Sequence, residues 1–380
     1  MAFSARLITP RAAIMTVFFA FGTAMGALAG SMPTVTARAS VSATDLGLAI
    51  TGWSLLTVIA MSSGGIIARH ASHRRVLLLA LPATALLTAL ILVAPSWWVF
   101  MAAYVVLGIV SGATDLFMNA EGASIEYDLK RPIFTAFHGS VSVALAVSAI
   151  AASFLSTMIG TWATALMVLM VFGAAWAMVR RVITARPIAL GQAARISAIP
   201  NKLPLVFLGV AAGLIIAGET AAMLWSAEFL SQLDPRLAAI AGLGAAFFGL
   251  CNAVLRFPAD GLRARFGDIP LMVVSLIVAI LGFAVLAIKP GFAVSVVAFA
   301  AVGLGTAVLI PCVFALASAF VPANRAAGIS FVSMVAGAPR VLAPTVFGLV
   351  AEQFGIGSAF GMIAAGLAVA LALIALRQRL

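Results

Sequence analysis

Charge is what this chain has least of. Only 9% of its 380 residues are Asp, Glu, Lys or Arg, against roughly 25% in ordinary soluble domains, and 64% are hydrophobic. That balance excludes a water-soluble globule. Acids are scarcer than bases, 11 against 22. The bases nevertheless sit in short clusters between apolar runs and form no stripe that would track phosphates, so nucleic acid is excluded as a partner. The two cysteines, Cys251 and Cys312, both lie inside apolar runs. They offer neither a disulfide framework nor a paired metal motif and read as small packing residues. No phosphate loop or nucleophile-base constellation is present, so the sequence predicts no enzyme, no metal site and no cofactor.

What is abundant is apolar sequence in runs of membrane length. Crossing a hydrocarbon core of roughly 30 Å takes about 20 helical residues. Such runs occupy 12–34, 45–68, 75–94, 98–122, 132–156, 161–180, 203–228, 237–260, 269–288, 292–318, 326–350 and 356–376. Twelve transmembrane helices are expected, or ten to eleven if closely spaced pairs are re-entrant. Arg6 and Arg11 before the first run imitate a secretory leader, but the apolar character continues past Ala29 and the run reads as the first membrane helix. With the amino terminus inside, 18 of the 22 basic residues fall on the cytoplasmic side. Arg38, Arg236 and Lys289 lie opposite and Arg340 lies within a span. Both termini are therefore expected in the cytoplasm of a cell with a bacterial-type inner membrane. Trp97, Trp98, Trp162 and Trp225 fall near the outer helix ends, as an aromatic belt would.

The longest polar stretch, 182–202, divides the chain into two six-helix bundles, 1–181 and 203–380. Internal similarity supports duplication. Phe21 to Gly26 matches Leu208 to Gly213 at an offset of 187, and Phe137 matches Phe331 at 194. Six-helix repeats with a site at their interface are a transporter plan.

Between the second and third runs, Gly65 to Arg75 resembles the major facilitator signature Gly-x-Leu-Ala-Asp-Arg-x-Gly-Arg-Arg, with Arg69 at the aspartate and Ser72 at the second glycine. Asp260 to Gly267 is its second copy, keeping Arg265 and Gly267. Thr114 to Ala123, with Phe137-His138-Gly139, is similar to the fucose-permease-like branch of that superfamily and to its YbjJ-type inner-membrane proteins. The similarity extends to Ala217-Gly218-Glu219, Gly303-Leu304-Gly305 with Pro311, and Gly348. The resemblance implies an all-α major facilitator fold and proton-coupled symport of a small polar organic solute. It also implies a monomer driven by the proton gradient, with Asp115 at the position of the proton-carrying acid. A proton-driven exporter of amphipathic compounds is the alternative. The absence of proline from Gly139 to Ala146 departs from the helix typical of drug antiporters.

A charge near the bilayer centre costs about 2.5 to 3.5 kcal/mol, so the few ionisable residues inside spans are site candidates. Asp115 and Asn119 lie one helical turn apart on one face. Asp115 reads as a proton carrier or as an acid fixed by a neighbouring donor. His138, at similar depth, reads as a proton relay or a packing residue. Glu219 and Arg340 both fall near mid-span. They are expected to pair; an unpaired Arg340 would instead favour an anionic substrate group. Trp53, Thr57 and Asn252 are substrate-binding candidates whose plainer reading is interhelical packing, and Thr23 and Gln353 are weaker ones. The Gly22, Gly26, Gly30 ladder reads as a close-packing face. Glu121, Glu126 and Asp128 read as gate or surface charges paired with Lys130, Arg131 or the 69–75 loop.

Overall fold

The computed structural model describes residues 9–130, 133–184, 202–321 and 325–377. All its regular elements are helices. The first seven are α1 (Pro10–Ala39), α2 (Ala43–Ser62), α3 (Gly64–His70), α4 (His73–Leu92), α5 (Trp97–Leu129), α6 (Phe134–Met158) and α7 (Thr161–Val182). After α8 (Leu203–Leu233) and a 3-10 turn (Pro235–Ile240) come α9 (Leu243–Arg256), α10 (Ala259–Phe266), α11 (Asp268–Ala287), α12 (Phe292–Thr306), α13 (Leu309–Phe320), α14 (Arg325–Phe354) and α15 (Ile356–Arg377). Eleven spans among the described residues are long and apolar enough to cross a membrane, α12 and α13 counting as one; α9 is a shorter apolar helix. The eighth expected span is thus shorter than its sequence run, because its start, 237–240, is spent in the 3-10 turn. Most of the expected connection, 185–201, and Arg6, Arg131 and Arg379 lie outside the described residues.

The chain divides into two compact units. One comprises Met1–Val41, Gly52–Gly191 and Leu237–Ala246; the other comprises Ser42–Thr51, Gln192–Arg236 and Phe247–Leu380. Each therefore includes a short segment from the other half of the chain.

In the first unit α1 packs on α6 with backbone against backbone. A Cβ added at Gly22, Gly26 or Gly30 would stand 2.3, 2.3 and 2.1 Å from the carbonyl oxygens of Val141, Leu145 and Ala149. Small residues permit this approach, and without a hydrophobic drive between helices in lipid, such packing holds them together. The second unit repeats the scheme: Gly209 and Gly213 of α8 meet Val335 and Pro339 of α14. Each glycine pair is related by the 187-residue offset and each pair of partners by the 194-residue offset. The weak sequence repeat is therefore a repeat of packing.

The exchanged segments are held closely. In the first unit a Cβ at Gly242 would stand 2.0 Å from the carbonyl oxygen of Ala149, and the Ser153 hydroxyl donates to the Ala238 carbonyl at 2.8 Å. In the second, Gly47 of α2 sits on the Pro344 carbonyl of α14 and Gly348 of α14 on the Ala43 carbonyl. The Thr51 hydroxyl donates to the Val341 carbonyl at 2.9 Å. Glu352 accepts from the backbone N–H of Thr44 at 2.9 Å, placing a carboxylate on the open amino end of α2, where it opposes the helix dipole.

Arg38, in the last turn of α1, ties together the ends of two other helices. Its guanidinium donates to the Leu92 carbonyl at 2.5 Å, to the Ala94 carbonyl at 3.1 Å, and to the Thr161 hydroxyl. These groups finish α4 and begin α7. Arg38→Met should lower stability by about 1 to 2 kcal/mol, less than three charged hydrogen bonds suggest because the group is exposed. Thermal unfolding of the purified protein checks this.

Trp98 is 76% and Trp162 59% exposed, as a belt requires, whereas Trp225 is 2% exposed. The Trp225 ring lies tilted against Phe347 at 4.8 Å, part of an aromatic core with Phe229, Phe299 and Phe360. Its bulk serves the second unit's interior, which corrects the belt assignment.

Candidate functional site

Two polar clusters stand out, one in each unit. In the first, Asn119 and Asp115 share one face of α5. The Asn119 carboxamide N–H donates at 2.8 Å both to the Asp115 carboxylate and to its backbone carbonyl. Both residues are half-buried. His138 of α6 is exposed, its ring edge-on to Phe18 at 5.3 Å and tilted on Phe134 at 5.0 Å.

The second cluster centres on Glu219 of α8. Asn252 of α9 donates to the Glu219 carboxylate at 3.2 Å and to the Thr306 hydroxyl at 3.1 Å. Arg256, the last residue of α9, brings its guanidinium to 3.7 Å from the same carboxylate oxygen. Glu219 thus has Arg256 as an ion-pair partner, which sits one helical turn beyond Asn252 and faces Glu219 with it. Arg340 follows Pro339 in α14 and is half-buried.

Proline shapes this second cluster. Pro311 has no N–H to give the carbonyl four residues before it, that of Ala307, and the span breaks there between α12 and α13. The freed carbonyl accepts from Arg256 Nε at 3.3 Å. The same device recurs in α4: Pro82 frees the Leu78 carbonyl, which the Trp176 indole takes at 3.0 Å. Sequence reasoning missed Thr306 and Arg256, although Pro311 was the signal that an acceptor would lie open at Ala307.

Other candidates resolve into packing. The Trp53 indole donates to the Ser111 hydroxyl at 3.0 Å and the Thr57 hydroxyl to the Gly108 carbonyl at 3.2 Å. Both tie α2 to α5, where a Cβ at Gly108 would stand 2.4 Å from the Trp53 carbonyl. Thr23 bonds back to the Phe19 carbonyl. Glu126 accepts the backbone N–H groups of Ile133 and Phe134, both at 2.7 Å, and so caps the start of α6.

Glu121 is no surface charge. It is 3% exposed and accepts or shares a proton with His73 Nδ1 at 2.8 Å. In the second copy of the signature the ion pairs belong to Arg263, which reaches Asp268 at 2.7 Å and Asp260 at 3.1 Å. The hydrogen bond to Asp268 holds this guanidinium above its ordinary range. Arg265 instead lies over the Phe266 ring. Among the described residues no three His, Cys, Asp or Glu side chains gather as a metal ion would require.

Residues 205–379 match the family model described as the Major Facilitator Superfamily. The chain is similar to the membrane protein MosC of Rhizobium meliloti, 24% identical over 95% of this chain and 88% of that one. Among solved structures, a variant of the nucleoside transporter NupG superposes with a TM-score of 0.79 at 14% identity, over 97% of this chain and 99% of that one. The fucose:proton symporter FucP of E. coli superposes with a TM-score of 0.59 at 15% identity, over 97% and 98%.

Proposed function

We propose that the chain is a transporter of the major facilitator superfamily, which it resembles in fold and in its carboxy-terminal half, and that it carries a small polar organic solute across the cytoplasmic membrane by alternating access in symport with protons. One observation carries this reading: each unit holds a carboxyl inside a membrane-length helix, engaged by an asparagine, Asp115 by Asn119 and Glu219 by Asn252. An intramembrane acid is expensive and functional by default. Where it also accepts a hydrogen bond from a neutral donor, it can pass between charged and neutral forms without losing its seat.

Asp115 and Glu219 are the proton-coupling groups of this reading, with His138 beside the first. Asn119 and Asn252, whose N–H groups are engaged within the clusters, present their carboxamide oxygens to a polar solute, and Arg340 adds a guanidinium. Trp53 and Thr57, whose donors are already engaged, shape the helices behind them. The names of the two solved neighbours, a nucleoside transporter and a fucose:proton symporter, agree with a polar cargo and a proton. In this reading both termini lie in the cytoplasm, where the bias of basic residues puts them, and the protein works as a monomer of two bundles, 1–181 and 203–380, with 182–202 as the linker.

The test is proton flux in proteoliposomes carrying a pH-sensitive dye, with sugars, nucleosides, organic acids and amphipathic drugs offered in turn. A polar class should drive proton entry in wild type, and Asp115→Asn should abolish it. Flux driven only by amphipathic drugs would favour export, and solute movement without any proton movement would sink the coupling.

A further inference from the structure

The one buried histidine of the chain is not in either cluster. Of the three histidines, His70 and His138 are exposed, whereas His73 is only 8% exposed, as the first residue of α4. Its Nδ1 lies 2.8 Å from Glu121 of α5, itself 3% exposed. The ring packs edge-on to Phe117 at 5.8 Å. Nε2 is buried and has no hydrogen-bond partner among the described residues. In the signature to which Gly65 to Arg75 is similar, the position of His73 is the first arginine of the final pair. An arginine there would be permanently charged; an imidazole gains and loses its charge near neutral pH.

The electrostatics define what the pair can hold. With one proton between them, His73 and Glu121 are either two neutral groups or a contact ion pair, and both arrangements carry zero net charge. Removing that proton leaves a buried carboxylate with no counter-charge, a strongly unfavourable state. The remaining charged or titratable groups on the packed elements are Arg11 and Arg38 of α1, His70 of α3, Arg74 and Arg75 of α4, Asp115, Glu126 and Asp128 of α5, His138 of α6, and Arg180 and Arg181 of α7. Several are committed elsewhere. Glu126 caps α6, Arg74 donates to the Arg180 carbonyl at 3.0 Å, and Arg180 lies over Trp176. The Arg69 side chain lies outside the described residues.

We propose that His73 and Glu121 form a proton-binding site of their own, distinct from Asp115 and Glu219, which fastens the start of α4 to α5 while it is occupied. The contact joins the corner between α3 and α4, capped by Ser72, to the far end of α5. Loss of the proton leaves a single hydrogen bond from the neutral ring's Nδ1–H to a buried carboxylate without a counter-charge, which loosens that corner. The site depends on neither the solute nor the coupling scheme, so it stands or falls separately from them.

With three histidines, nitrogen-15 NMR of histidine-labelled protein in lipid nanodiscs resolves each ring, His70→Gln and His138→Gln supplying the assignments. The His73 ring should change protonation between about pH 5 and about pH 9, with a midpoint that moves by about one pH unit or more in Glu121→Gln. If Glu121→Gln does not fold, Glu121→Asp, which lengthens the contact, takes its place. Amide exchange at the α3–α4 corner, corrected for intrinsic rate, should rise with pH in wild type and stay level in His73→Arg, whose charge is fixed. A His73 ring unchanged across that range, a midpoint unmoved by the Glu121 substitution, or equal pH dependence of exchange in His73→Arg would each overturn the proposal.

Discussion

Gly26→Leu is expected to leave little folded protein. A Cβ at this position would stand 2.3 Å from the Leu145 carbonyl oxygen and 2.9 Å from the Ala149 amide nitrogen. Both are backbone atoms of a helix that cannot step aside without breaking its own hydrogen bonds. Overpacking typically costs about 1 to 3 kcal/mol, and a leucine adds three further carbons to the same gap. The whole seam between α1 and α6 must open to admit them. Against a net stability of about 5 to 15 kcal/mol, that is a large fraction. Size-exclusion chromatography of solubilised protein should show the loss of the monodisperse peak. Gly173→Ala is the control, because nothing lies within 4 Å of a Cβ there; it should be neutral or mildly stabilising through helix propensity. A monodisperse Gly26→Leu with wild-type melting would mean that α1 does not need backbone contact with α6.

Glu219→Gln should have the largest effect on activity. Glutamine has nearly the shape of glutamate and retains an oxygen for the Asn252 donor, so folding should survive. It can neither take up a proton nor balance Arg256. The second loss alone is modest. The pair is separated by 3.7 Å, and the Arg256 side chain is 46% exposed, so solvent screening limits it to about 1 kcal/mol, roughly a fivefold change in rate. The first is qualitative: solute-driven proton movement should vanish while exchange of solute across the membrane persists. Parallel measurement of labelled solute and internal pH in proteoliposomes separates the two. Full coupling in Glu219→Gln, merely slowed, would make Glu219 a counter-ion and leave Asp115 as the proton carrier.

These outcomes divide along the line between what was legible in the sequence and what was not. Local regularities were legible. Run length gave the helices, and the four-residue spacing of Gly22, Gly26 and Gly30 gave a close-packing face. The two offsets identified rungs that prove equivalent in three dimensions. Asp115 and Asn119, a single turn apart, could hardly fail to meet. Contacts between distant segments were not legible. His73 and Glu121 are separated by 48 residues, and their meeting depends on how α4 is rotated against α5, which composition does not reveal. Arg256 was counted as a loop cation because it follows an apolar run, yet the missing N–H of Pro311 draws it back to the Ala307 carbonyl. Trp225 looked like a belt residue by its distance along α8, but the rotation of that helix turns its ring inward.

The exchange of short segments between the two units bears on how the chain is made. Translation delivers α1 to α7 well before Leu237–Ala246 emerges, so Ser153 lacks its Ala238 acceptor and the Ala149 carbonyl lacks its Gly242 neighbour throughout that interval. Conversely, Ser42–Thr51 is synthesised long before the α14 against which Gly47 and Thr51 rest. Neither unit can reach its final structure from one half of the message, and maturation has to wait for the last helices to enter the membrane.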